Sequence, residues 1–140
     1  MADILDDLKR EEGFSFPVYQ DHLGYWTIGY GFLVDARRGG GVPPPIAEQW
    51  LAYLVQIKRE MLENRLPWYS VAHPDVQRAL LNMAYQLGVE GLLKFHQTLA
   101  LLEAGDREGA AASAMQSLWA RQTPARAKRV TDLIRGSEAT

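Results

Sequence analysis

The chain contains no cysteine. Disulfides, thiolate metal sites and a cysteine nucleophile are therefore excluded together, and the fold must hold without cross-links, as it would in a reducing cytoplasm. Histidine is scarce: His22, His73 and His96 are scattered and show no metal-ligand spacing. No apolar run approaches the roughly 20 residues of a membrane span, so membrane insertion is not expected. The opening "MADILDDLKREEG" has neither the basic n-region nor the apolar h-region of a signal peptide. A strong charge of one sign is also missing. The formal net charge of -2 argues against nucleic acid as the main partner. What remains is 140 residues, 47% apolar and 23% charged, which fits a soluble globular chain folded as one domain, 1–140.

Charge is uneven along the chain. From Arg121 to Arg135 there are five basic residues and one acid, Asp132. A solvated helix face and a surface that attracts anions are both open readings of that stretch.

Helical periodicity dominates. Asp3 is a candidate N-cap, with Ile4, Leu5 and Leu8 at helical spacing behind it and Gly13 as the stop. "FSFPVY" reads as a short strand, "QDHLG" as a turn, and "YWTIGYGFLV" as the best strand of the chain. "DARRGGGVPPP" reads as a loop. Pro45 can open a long helix over 46–66, and further helices are expected at 74–88, 90–94, 97–104, 107–117 and 124–135. The pattern is α+β and mostly helical, with one small antiparallel sheet.

Residues 11 to 31, "EEGFSFPVYQDHLGYWTIGYG", crowd three carboxylates, four glycines and six aromatic residues together. On a helical wheel at about 100° per residue, the apolar direction of the first helix lies about 30° from Glu12 and about 70° from Glu11. Glu12 is thus expected to face the interior. It also ends its helix, where burial and the negative dipole both raise a carboxyl pKa. Asp21, in a polar turn, is expected to stay ionised. Two carboxyl groups with separated pKa values suit glycoside hydrolysis, while a surface acid and a turn-forming aspartate explain the same residues. Thr27 shares a strand face with Gly29 and Gly31, where bare backbone admits a bulky ligand.

"EEG" followed by "VYQDHLGYWTIGYG" resembles the active-site segment of the phage lysozymes, or endolysins, of glycoside hydrolase family 24. That pattern is an acid before glycine, an aspartate nine residues later and a threonine six beyond, here Glu12, Asp21 and Thr27. "NMAYQLG", 82–88, resembles the family's core helix with a cleft-facing glutamine, Gln86. "SLWARQTPARAKRV", 117–130, is similar to its C-terminal signature and carries Trp119, Gln122, Pro124 and Arg126. The resemblance implies a two-lobed lysozyme-like fold: a sheet lobe at 13–45, the connecting helix 46–66, and a helical lobe of 67–140 plus the N-terminal helix. It implies that Arg126 pairs with the catalytic glutamate, supported by Gln122, and that Leu33, Tyr85, Gln86 and Thr98 line the cleft. Two departures stand out. Phe32 replaces a common histidine and cannot make its ion pair, and the 36–45 loop is shorter than in T-even phage members, which reduces the lobe over the cleft.

The implied activity is hydrolysis of the β-1,4 bond between N-acetylmuramic acid and N-acetylglucosamine in peptidoglycan, with inversion and host-cell lysis. Glu12 would be the acid, Asp21 the charge that supports the transition state and guides water, and Thr27 the holder of that water. No cofactor or metal is expected. The expected partner is the glycan strand, met by a monomer that waits in the host cytoplasm until a separate holin releases it to the periplasm and wall. A wall-binding module without catalysis and a lytic transglycosylase are the rival readings. Retention of both acids speaks against each.

Overall fold

A computed structural model describes residues 3–12, 19–20, 25–28, 32–38 and 43–136, with side chains for 3–11 and 43–136. Helix α1, Ile4–Glu12, is capped as its sequence implies: Asp3 Oδ1 accepts from the Asp6 amide at 3.0 Å, and Asp6 Oδ2 accepts from the Asp3 amide at 3.2 Å. Leu8 is fully buried and Ile4 nearly so. Strands β1 (Tyr19–Gln20), β2 (Tyr25–Ile28) and β3 (Phe32–Arg38) pair antiparallel in that order. Thr27 stands opposite Tyr19 on one side and Leu33 on the other. "YWTIGYGFLV" is thus divided between two strands. "DARR" belongs to β3 and not to a loop, because Arg38 finds a ladder partner in Tyr25.

The long helix α2, Pro44–Arg65, starts with proline in its first turn and ends at Leu66, which is extended ahead of Pro67. It buries one stripe, Ala47, Leu51, Val55 and Leu62, and leaves Leu54 and Met61 partly in solvent. A single 3₁₀ turn, Tyr69–Val71, follows. Burial pushes the Tyr69 hydroxyl up to about 12.

Helix α3, Pro74–Leu87, is central. His73 caps it by accepting from the Asp75 amide, seven of its residues are buried, and Gly88 ends it at φ 77°. Around it stand α4 (Val89–Leu93), α5 (His96–Glu103), α6 (Arg107–Met115), α7 (Leu118–Gln122) and α8 (Pro124–Arg135). The fully buried Ala110, Ala111 and Ala114 let α6 lie close to Ala127, Val130 and Ile134 of α8. Arg107 donates to the carbonyls of Ile134 and Leu133 at 2.8 and 3.0 Å. It thereby satisfies carbonyls that the end of α8 leaves open. No helix among the described residues is long and apolar enough to cross a membrane.

The expected two-lobed α+β class is corrected to a helical one. The described core comes from the helices, with Leu66 and Tyr69 from the segment after α2. The strands are 2, 4 and 7 residues long. A sheet of so few residues is not stable by itself, whereas the helices pack apolar faces into the described core around α3.

Candidate functional site

Helix α3 carries a polar stripe through the core. Arg78, Asn82 and Gln86 follow one another at four-residue spacing and therefore share a face. Each reaches a different element. Arg78 donates from Nε and Nη2 to both oxygens of Asp7 on α1, at 2.5 and 2.6 Å. Asn82 is 3% exposed, and its Oδ1 accepts from Arg126 Nε at 2.9 Å. Gln86 Oε1 accepts from the Trp119 indole at 2.8 Å, and its amide donates to Thr123 Oγ1 at 3.4 Å. The stripe thus ties α1, α7 and the start of α8 to one helix.

Trp119 is buried in the core, and its ring meets Phe95 edge to face at 5.9 Å. Replacing Gln86 by leucine would leave the buried indole N–H without its acceptor. Stability should fall by about 1–3 kcal/mol, read as a lower midpoint in urea at unchanged slope.

Acids and arginines converge at the carboxyl end of α1. The Glu11 side chain is only 2% exposed. Arg126 Nε lies 3.0 Å from Glu11 Oε2, and Arg129 Nη2 touches Oε1. Neither oxygen receives an aligned hydrogen bond among the described residues, so these contacts are ion pairs across the N–H directions. A cavity of about 150 Å³ opens beside them, lined by Asp7, Glu11, Arg78, Asn82, Arg129 and Asp132 among others. The wheel placed Glu11 further from the apolar direction, yet it is buried, because arginines on α8 enclose it.

Of the expected site residues, the structure joins Gln86 to Thr123 and Arg126 to Asn82, one helical turn apart on α3. The side chains of Glu12, Thr27 and Leu33, and Asp21 altogether, lie outside the described residues, and with them the expected Arg126–Glu12 pair. Tyr85 is half-buried against the core and Gln122 is exposed at the end of α7. Thr98 is 2% exposed and sits elsewhere, donating to Ser113 Oγ at 3.1 Å. The groove there holds about 250 Å³ and is lined by Phe95, His96, Gln97, Thr98, Ser113 and Ser117, with Lys94 at its edge.

Sequence reasoning missed Asp7, Glu11, Arg78, Asn82, Arg129 and Ser113. The four-residue spacing of Arg78, Asn82 and Gln86 on an apolar helix was the available signal. The basic 121–135 stretch is largely spoken for. Besides Arg126 and Arg129, Lys128 meets Asp132 at 2.9 Å and Arg135 meets Glu108 at 3.2 Å, which favours internal pairing over an anion-attracting surface.

A family model described as phage lysozyme matches residues 9–139. The chain is similar to the pre-baseplate central spike protein Gp5 of Enterobacteria phage T4, 33% identical over 152 aligned residues that cover 91% of this chain and 26% of that protein. The chain therefore spans about a quarter of that relative. It is also similar to probable T4-type lysozyme 1 of Dictyostelium discoideum, 28% identical with 96% of this chain and 94% of that protein covered. Probable T4-type lysozyme 2 of the same organism is 27% identical at the same coverage.

Proposed function

The chain belongs to the phage lysozyme family, and from that premise we propose that it is a peptidoglycan hydrolase of the lysozyme type, cutting the β-1,4 bond between N-acetylmuramic acid and N-acetylglucosamine. What supports the reading is the family match over 9–139; Glu12, Asp21 and Thr27 are assigned within it by the resemblance of their spacing to the family's pattern. Glu12 protonates the leaving oxygen. Asp21 supports the oxocarbenium-like transition state and guides a water to the opposite face, with Thr27 holding that water. The chemistry needs two carboxyl groups and no metal. Arg126 and Gln122 support the site, and Leu33, Tyr85, Gln86 and Thr98 line the cleft. The Thr98–Ser113 groove offers hydroxyls and an aromatic edge suited to a polar ligand.

Digestion of purified peptidoglycan with mass spectrometry of the products tests this. Hydrolysed muramyl ends are expected. Anhydro ends would make it a lytic transglycosylase, and binding without release would make it a wall-binding module. Inversion predicts that the first turnover releases the α anomer, seen by NMR before mutarotation. A β product would overturn the inverting assignment.

In the cell the reading is an endolysin, acting as a monomer and held in the host cytoplasm until a separate holin opens a path to the periplasm and wall. Rapid lysis on expression alone, with the membrane intact, would contradict the holin requirement. The likeness to a spike protein favours a second reading, local wall digestion within a spike assembly. Mass determination of the native particle, with this chain found in it or not, separates the two.

A further inference from the structure

A separate groove lies at the opposite end of α3 from Gln86. It forms where the 3₁₀ turn and the first turn of α3 meet the end of α5 and the start of α6, and it holds about 250 Å³. His73, at this end, is about 20 Å of helix rise from Gln86. The groove shares no lining residue with the cavity beside Glu11 or with the Thr98–Ser113 groove.

Its floor is apolar. Val76 and Leu102 are buried, and the half-buried Trp68 packs against the core beside them. Val71 also lines it and is 86% exposed. Polar groups line the same groove. His73 accepts the Asp75 amide through Nδ1, so the neutral ring carries its proton on Nε2 and offers a donor. The Glu103 carboxylate has no hydrogen-bond or ion-pair partner among the described residues. Nor does the Trp68 indole N–H, in contrast to that of Trp119, which donates to Gln86. A buried indole N–H usually finds an acceptor, so this one, at a groove wall, is available to a ligand.

Charge and size select that ligand. Glu103 and Arg107 bring one charge of each sign to the lining, which favours neither an anion nor a cation. An apolar floor with a few converging polar groups is the pattern of a small-molecule site, and the volume falls just below the usual range of roughly 300–1,000 Å³. That suits one ring-sized group and not a run of chain. We propose that the groove binds N-acetylglucosamine units of the wall, outside the catalytic cleft. This sugar is uncharged and carries an apolar face and an acetyl methyl for the floor. Its hydroxyls and amide meet His73, Glu103 and the Trp68 indole. The choice of sugar rests on the reading of the chain as a wall hydrolase. A second hold on the polymer raises the effective concentration of glycan at the cleft.

The test is a titration of the full chain with N-acetylglucosamine, a monosaccharide with no bond for the enzyme to cut, followed by nitrogen-15 NMR. The Trp68 indole signal and the amides of 102–107 should shift saturably. Glu103→Ala and Val71→Glu change exposed positions and leave the fold intact. Each should weaken binding about tenfold, the contribution of one hydrogen bond or one apolar contact. The absence of a saturable shift at Trp68, or equal affinity in both variants, would overturn the proposal. So would glucose, which lacks the acetamido group, binding as tightly, or an apolar tetrapeptide binding in place of the sugar. Wall hydrolysis is measured separately. Saturable binding in a protein that cuts no wall removes the hydrolase reading and leaves the sugar site. Hydrolysis without the shift removes the site alone.

Discussion

Glu12→Gln should lower peptidoglycan hydrolysis by about 10²–10⁴-fold, the usual contribution of a general acid, and should leave thermal melting within about 0.5 kcal/mol of wild type. The amide keeps the volume and can donate a hydrogen bond, but it cannot hand a proton to the leaving oxygen. Glu12 is the last residue of α1, where the helix dipole disfavours a negative charge. Neutralising it there removes chemistry at little structural cost. Its neighbour should behave in the reverse sense. Glu11 is buried against two arginines, so Glu11→Gln removes a carboxylate that both contact, and the variant should lose stability while its folded fraction still clears cell-wall suspensions. The measurement is turbidity loss per folded molecule, with circular-dichroism melts on the same samples. A dead Glu11→Gln that melts like wild type, beside an active Glu12→Gln, would show that the acid had been assigned to the wrong glutamate.

Much of the helical scaffold was legible because its punctuation is covalent. Pro44, Pro74 and Pro124 occupy first turns of α2, α3 and α8. Gly88 and Gly136 take up φ values of 77° and 92° at helix ends, where a side chain would be strained. Helix α7 was missed because five residues show no periodicity. What fixes it is Ser117, whose hydroxyl caps the Ala120 amide, and the proline at 124 that prevents continuation of one helix. The small sheet was read from β-rich composition at 14–34, and the division into a sheet lobe and a helical lobe was what the family resemblance implied. Composition reports preference for extended backbone and says nothing of whether such a segment supplies a core.

The site was legible as a set of residue types and not as a network. A wheel drawn on Ile4, Leu5 and Leu8 gives the apolar direction of α1 alone. Glu11 is enclosed by arginines more than a hundred positions later, and Asp7 by Arg78 at a separation of 71 residues. No local period carries that information. The stripe Arg78, Asn82, Gln86 did carry it in part, since three polar residues at four-residue spacing on a helix with seven buried residues must find partners inside. Only Gln86 was singled out, and its described partners are Trp119 and Thr123.

Asp7→Ala should be strongly destabilising. The Asp7 side chain is 5% exposed and that of Arg78 10%. They form a two-pronged, charge-assisted contact, the strong form of the interaction. Removing the acid breaks a buried pair beside Leu133, Asn82 and the cavity next to Glu11, and such a break typically costs about 3–5 kcal/mol. For a chain of this size that is on the order of 10–20 °C in melting temperature. The pair itself is a different matter. Replacing both partners, as Asp7→Leu with Arg78→Met, removes the desolvation of two charges and fills the space with apolar groups, and such exchanges are often neutral or stabilising. The expected pattern is therefore a steep loss in Asp7→Ala and recovery of most of it in the double variant, measured by denaturant titration as a double-mutant cycle. A double variant as unstable as Asp7→Ala would mean that Arg78 stabilises the fold through contacts other than Asp7. Activity adds a second axis. The contact joins α1 to α3, and α1 ends in Glu12, so the double variant should keep its stability and still lose hydrolysis if the ion pair fixes where α1 places that residue.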